Sequence, residues 1–192
     1  MSQLPGRMRL VTVINPAGIS GESNSAGTIR LRRTNYHHPD VQLLVAEVQQ
    51  EYVRRYGSED SSPIDEAEFD PPNGMFVIAT VDGRPAAMGG WRRHDSLELD
   101  PATGQRGSPA LWTAEIRRMY VSPEFRGRGL ARAVLAELES TARDRGCGQL
   151  ILETGLPQPE ALALYRSSGY QEVPPFGHYA GSPLSVPLGK EL

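Results

Sequence analysis

The stretch Glu115-Ile-Arg-Arg-Met-Tyr-Val-Ser-Pro-Glu-Phe-Arg-Gly-Arg-Gly-Leu-Ala131 reads as a strand, a turn and the first turn of a helix. Ile116, Met119, Tyr120 and Val121 favour extended backbone, and Ser122-Pro123 ends the strand. Arg126-Gly127-Arg128-Gly129 follows, and a helical pattern runs from Leu130 to Arg145. A glycine-rich turn between a strand and a helix attracts anions. Backbone N–H groups point out of the helix start, the helix dipole is positive there, and glycine lets a phosphate approach closely. Arg126 and Arg128 add positive charge beside the turn.

Two common phosphate signatures do not fit. A P-loop requires Lys-Ser or Lys-Thr after its second glycine, and here Leu130-Ala131 follows Gly129. A dinucleotide fold requires Gly-x-Gly-x-x-Gly early in a βαβ unit, which this turn does not supply.

The 192 residues point to one domain with a core large enough to need no covalent staples. The net charge of −3 gives no general attraction to nucleic acid or to an anionic membrane. The single cysteine, Cys147, excludes an internal disulfide framework and fits a reducing, cytoplasmic setting. No apolar run reaches the ~18 residues of a membrane span. Lys190 is the only lysine among 20 basic residues.

Along the chain, residues 1–26 are rich in Gly, Ser, Asn and Pro and read as a flexible leader, with an edge strand at 8–14 as the other option. A single α+β domain, 27–192, follows. Residues 28–33 alternate as a strand. A helix with Asp40 as its N-cap carries Val41, Leu44, Val45, Val48, Tyr52 and Tyr56 on one face and stops at Gly57. Residues 57–73 are polar, with one helical turn expected at 64–69. Strands 75–81 and 85–93 flank Asp82-Gly83, and Arg84-Pro85 is expected to lengthen that turn beyond two residues. A loop spans 94–109 and a strand 110–121. The next helix carries Leu130, Val134, Leu135, Leu138 and Ala142 inward and stops at Gly146. Residues 149–153 form a short strand. Pro159 opens a further helix with Ala161, Leu162, Leu164 and Tyr165 inward, and Gly169 ends it. Strands at 170–173 and 184–188 are joined by a loop with Phe176, His178 and Tyr179.

Three local patterns resemble the GNAT N-acetyltransferase family over about residues 28–192. Arg126-Gly127-Arg128-Gly129-Leu130-Ala131 is similar to its Arg/Gln-x-x-Gly-x-Gly/Ala signature. Gln158-x-x-Ala161-x-x-Leu164-Tyr165-x-x-x-Gly169-Tyr170 is similar to its Asn-x-x-Ala-x-x-Leu-Tyr-x-x-x-Gly-Phe. Glu115 lies six residues before Val121, where histone-type members carry a catalytic glutamate. The resemblance implies a central mixed, mostly antiparallel sheet flanked by about four helices. It implies acetyl-CoA as cosubstrate, no metal, and a pyrophosphate held at Arg126, Gly127, Arg128, Gly129, Leu130 and Ala131. The pantetheine arm would run along the main chain of Met119, Tyr120 and Val121, with a backbone N–H near Val121 for the thioester oxygen and Gln158 beside the arm.

Acetyl transfer to an amine requires a base, because an alkyl ammonium near pKa 10.4 is almost wholly protonated at neutral pH. Glu115 is the expected base; paired with Arg117 or Arg118 it would be a structural carboxylate instead. Glu153 and His178 are the rivals. Tyr165 is the expected acid for the leaving thiolate, or else a core aromatic. Cys147 is read as a small structural residue, with a covalent relay as its alternative. Tyr52, Tyr56, Trp91, Glu153 and His178 are expected around the acceptor, although Tyr52, Tyr56 and Trp91 equally suit core faces. Direct transfer to a small-molecule amine, with no nucleic-acid or membrane partner, is the leading function. A non-catalytic acyl-CoA-binding module and a protein amine as acceptor are the alternatives. A homodimer is compatible with these readings, and amino acids, polyamines, aminoglycosides and protein N-termini all stay open as acceptors.

Overall fold

A computed structural model describes residues 9–10, 27–94 and 112–192. The rest of the expected leader and most of the expected 94–109 loop lie outside the described residues. The strands are β1 (Arg9–Leu10), β2 (Ile29–Thr34), β3 (Gly74–Val81), β4 (Arg84–His94), β5 (Trp112–Val121), β6 (Cys147–Gly155), β7 (Gln171–Glu172) and β8 (Ser185–Glu191). The helices are α1 (Pro39–Tyr56), α2 (Leu130–Arg143) and α3 (Pro159–Ser167). The helical turn expected at 64–69 is a 3-10 turn, Glu66–Phe69. Among the described residues there are thus three α-helices rather than about four, and no helix is long and apolar enough to cross a membrane.

The strands form one sheet in the order β1-β2-β3-β4-β5-β6-β8-β7. Every pairing is antiparallel except β5 with β6, whose connection runs through α2. One face carries α2 and α3. There Leu130, Val134, Leu135 and Leu138 of α2 and Tyr165 of α3 bury against Val77, Trp91, Ile116, Leu150 and Leu152. The other face carries α1, whose Val41, Leu44 and Val48 pack on Phe76, Ile78, Met88 and Tyr120. The alternation of β3 and β4 supplies both cores, so these strands are buried almost throughout.

Local chemistry accounts for the differences from the sequence reading. α1 is capped by His38, not Asp40: Pro39 occupies the first helical position, and His38 Nδ1 accepts the Asp40 N–H at 3.2 Å. The β3–β4 turn has two residues after all. Asp82 (φ 50°) and Gly83 (φ 82°) both adopt the left-handed conformation, as a type I′ hairpin requires. Pro85 is accommodated by a bulge between Ala79 and Thr80 instead of by a longer turn.

A second bulge lies where β4 meets β5. Met88 pairs with Tyr120 and Gly90 with Arg117, so Gly89 alone faces Arg118 and Met119. Gly89 leaves room for the Met119 sulfur, and Gly90 leaves room for the Phe76 ring on the other face. Arg118 takes the strain of the bulge with φ 57°.

Trp91 is fully buried on the α2 face, in the core position that the sequence offered as the alternative to an acceptor pocket. Its Nε1 donates to Thr141 Oγ1 at 2.9 Å, and Trp112 and the Arg145 guanidinium pack over its ring. Replacing Trp91 by Phe removes ring volume and orphans part of that hydrogen bonding, so stability should fall by about 1–3 kcal/mol in urea unfolding. The KM for an amine acceptor should not move. A changed KM with unchanged stability would return Trp91 to the acceptor site.

Candidate active site

β5 and β6 are hydrogen-bonded only near their starts. The ladder covers Trp112–Glu115 opposite Cys147–Ile151, whereas β5 continues to Val121 and β6 to Gly155. Past Glu115 the two parallel strands part and leave a split through the sheet. A cavity of about 400 Å³ opens there on the α1 face, lined by Tyr52, Tyr56, Glu115, Glu153, Gln158 and His178 among others. The expected acceptor residues other than Trp91 therefore come together. So do Asp60 and Ser185, which the sequence did not single out, and Arg117, Arg118 and Tyr179, which it did not place around the acceptor.

Glu115 lines the cavity and is buried. Its Oε2 accepts from Arg92 Nε at 2.8 Å and lies 2.7 Å from Arg92 Nη2, while Arg117 Nε stands 3.7 Å from Oε1. Arg92 also pairs with Glu68. Burial works against the Arg92 cation, but Glu115 and Glu68 more than offset it and raise its pKa. The Glu115 carboxylate is thus a counter-ion in a dense arginine pair.

Glu153 has a different environment. Ser185 Oγ donates to its Oε1 at 3.2 Å, the Tyr179 backbone also hydrogen-bonds to it, and among the described residues no guanidinium does, although the Arg117 charge acts on it. Burial raises its pKa above the ordinary carboxylate range; the Ser185 hydrogen bond opposes this, and the Glu115 charge adds to it. The Gly177 backbone (φ 69°) packs so close that a β-carbon there would meet Glu153 Oε2.

The β5 bulge arms the cavity roof. In a regular strand Arg117 and Arg118 would point to opposite faces. Here both reach the segment after α1: Arg117 to Ser62 Oγ and Pro63 O, Arg118 Nη1 to Asp60 Oδ2 at 2.7 Å. Asp60 Oδ1 also accepts from the Tyr179 hydroxyl at 2.5 Å, and Ser61 Oγ lies 3.4 Å from His178 Nε2. Residues 60–62 and 178–179 therefore meet over the cavity. Burial alone would raise Asp60, but the Arg118 charge and the hydrogen bonds hold its carboxyl below the usual range.

Tyr165 lies in the core on the α3 side of the split, with its ring edge-on to Tyr170, and is not part of the cavity wall. Burial, and then the nearby Tyr52 phenol, raise its pKa well above that of free tyrosine, so it stays protonated. Tyr52 is pushed up to about 12, chiefly by burial. Gln158 caps α3 and accepts from the Tyr56 hydroxyl at 3.1 Å and from Thr154 Oγ1 at 3.3 Å. Cys147 is buried, donates its thiol to Gln149 O at 3.0 Å and does not line the cavity.

The glycine turn leads into α2 through Gly129, whose φ of 75° starts the helix without any side-chain cap. The first helical N–H groups are therefore left for an outside acceptor. A β-carbon at Gly127 would meet nothing within 4 Å, so the approach is open. The Leu130 side chain is in the core, which leaves only its backbone to face a ligand. Arg128 lies over the Phe125 ring. Arg126 Nε donates to Val121 O, and its Nη2 lies 2.6 Å from Glu51 Oε2. Glu51 in turn holds Arg55, which reaches Pro157 O and Glu160 at the start of α3. Burial would raise Glu51, yet hydrogen bonds from Arg126 and Arg55 keep its pKa below the ordinary value. This chain of charges joins the turn on one side of the split to α3 on the other.

The sequence profile of the Acetyltransferase (GNAT) family matches residues 41–170, which include the split, the turn and α3. An IAA acetyltransferase of Azospirillum brasilense is 30% identical over 152 residues, covering 79% of this chain and 90% of that protein. An aminoglycoside N(6')-acetyltransferase of Stenotrophomonas maltophilia is 29% identical over 104 residues, 54% of this chain and 63% of its own. Among solved structures, a Klebsiella pneumoniae protein described as an acyl-CoA N-acyltransferase superposes with a TM-score of 0.64 at 27% identity, over 84% of this chain and 96% of that one. With its parted parallel strands and uncapped glycine turn, this chain belongs to the GNAT family of acetyltransferases.

Proposed function

We propose that the protein transfers the acetyl group of acetyl-CoA directly to a primary amine of a small molecule, with Glu153 as the base and Tyr165 as the acid. The carrying observation is the contrast between two carboxylates in one cavity. Glu115 is bound by Arg92, whereas Glu153 is held, among the described residues, by the Ser185 hydroxyl and the Tyr179 backbone and has a raised pKa. A base must be free to take a proton, and one whose pKa has moved toward neutrality takes it more readily. This reading reverses the sequence-based preference for Glu115.

The residues divide the work as follows. The turn at 126–131 holds the pyrophosphate through backbone N–H groups, and the unpaired edge of β5 at Met119–Val121 lies along the pantetheine arm. The acetyl carbonyl then faces the cavity. The ammonium nitrogen gives one proton to Glu153 and the free amine attacks the acetyl carbonyl; the C–S bond then breaks, the thiolate takes the Tyr165 phenolic proton, and the second nitrogen proton, lost as the amide forms, restores the phenol. Preorganised N–H donors near Val121 suit the oxygen charge that develops in between. The relatives named above, an IAA and an aminoglycoside acetyltransferase, support a small-molecule acceptor.

Gly129→Asp tests the donor site. Aspartate tolerates the left-handed conformation at moderate cost, so the fold should hold. Its carboxylate would stand where the pyrophosphate binds, and CoA affinity should drop by about 100-fold or more. Unchanged CoA affinity in calorimetry would remove the turn from the donor site.

Glu153→Gln tests the base. Because the Glu153 pKa is raised, activity that depends on its ionised form is lost as pH falls, earlier than for an ordinary glutamate. Turnover of the variant should be lower by about 10²-fold near neutral pH, with the gap narrowing at high pH, where the amine loses its proton unaided. Glu115→Gln should instead lower stability by about 1–3 kcal/mol, since Glu68 still faces Arg92, and keep the wild-type pH dependence. If the pH-dependent loss appears in Glu115→Gln and not in Glu153→Gln, the two roles are exchanged.

A further inference from the structure

The charges around the cavity bear on what the acceptor carries besides its amine. Three guanidiniums face it, from Arg92, Arg117 and Arg118. Among the described residues, each already stands against a carboxylate: Arg92 against Glu68 and Glu115, Arg117 against the same two at 3.9 and 3.7 Å, and Arg118 against Asp60. Arg117 also spends both terminal nitrogens on Ser62 and Pro63. Arg118 Nε is buried and has no hydrogen-bond partner among the described residues. Among the described residues that line the cavity, these three guanidiniums face four carboxylates, Glu59, Asp60, Glu115 and Glu153, and Glu68, paired with Arg92, adds a fifth. The excess around the site is of carboxylates, not of guanidiniums.

We infer that the acceptor is a primary amine with no carboxylate beside its amino group, which excludes free α-amino acids. This rests on the reading of Glu153 as the base. An α-carboxylate arrives within a few ångströms of the reacting nitrogen. In this cavity it would be stripped of water without gaining a guanidinium, and it would face Glu153 and Asp60. An ammonium meets the opposite situation, with Glu153 to receive it and the phenol rings of Tyr52 and Tyr56 along the wall. The site discriminates by a mismatch built against the amino acid as well as by attraction for the amine.

Matched acceptors test this with the wild-type protein. 2-Phenylethylamine, phenylalaninamide and phenylalanine share a side chain, and isopentylamine and leucine form an aliphatic pair. Rates of thiol release from acetyl-CoA give kcat/KM for each, and calorimetric titration into CoA-saturated protein gives each affinity. The amines and the amide should exceed the corresponding amino acid by at least about 10-fold in kcat/KM. The amide separates charge from bulk, because it keeps the size of phenylalanine without its anion. Equal or better use of phenylalanine and leucine would overturn the inference. So would the absence of both turnover and binding for all five while CoA still binds. Failure of CoA itself to bind would instead remove the acetyl-CoA reading on which the inference stands.

Discussion

The parting of β5 from β6 is the constraint on which the rest of the site depends. Parallel strands joined through a helix normally stay paired, because unpaired backbone groups inside a protein are costly. Here the pair is held at Trp112–Glu115 and released beyond it. The bulge at Gly89 explains how β5 turns aside: an extra residue on one strand bends it and increases its twist. α2 and α3 pack beneath the sheet on either side of the opening, and α1 covers the other face. The strand edge that results is offered to a ligand instead of to another strand.

Electrostatics then give the two sides of the split different characters. At the turn, the first N–H groups of α2 are uncapped and Arg126 is held in place by Glu51, which suits a phosphate. On the α1 side, among the described residues, each guanidinium lining the cavity stands against a carboxylate and carboxylates are in excess, Glu153 among them. Removing one member of such a set leaves the others uncompensated, so these pairs fix the shape of the cavity more than they add net stability. The asymmetry fits a donor rich in phosphate and an acceptor that arrives as a cation.

The fold, with its glycine turn, was legible in the sequence because it rests on local chemistry. Gly127 and Gly129, the apolar stripe from Leu130 to Ala142, and the hairpin at Asp82-Gly83 carry their meaning within a few residues. The acceptor side was less legible because it depends on which face a strand side chain takes. Trp91 and Arg92 are neighbours, yet one is sealed under α2 and the other lies in the cavity. Arg117 and Arg118 share a face only because of the bulge, and nothing in the local sequence announces that irregularity. Glu115 and Glu153 both sit on strands entering the site. They separate only when the partners are seen, since Arg92 reaches Glu115 across two paired strands, whereas Ser185 reaches Glu153 from β8. His38 displaced Asp40 as the α1 cap for a similarly local reason, Pro39 at the first helical position.

The account turns on the donor entering the split with its phosphates at the glycine turn. A crystal structure of the acetyl-CoA complex measures this directly. The pyrophosphate should lie on the backbone N–H groups of 126–131, and the thioester should lie between Met119–Val121 and β6, with its sulfur toward Tyr165 and its acetyl group toward Glu153. Density for the nucleotide elsewhere, or a split that stays empty with the ligand bound outside it, would contradict the account.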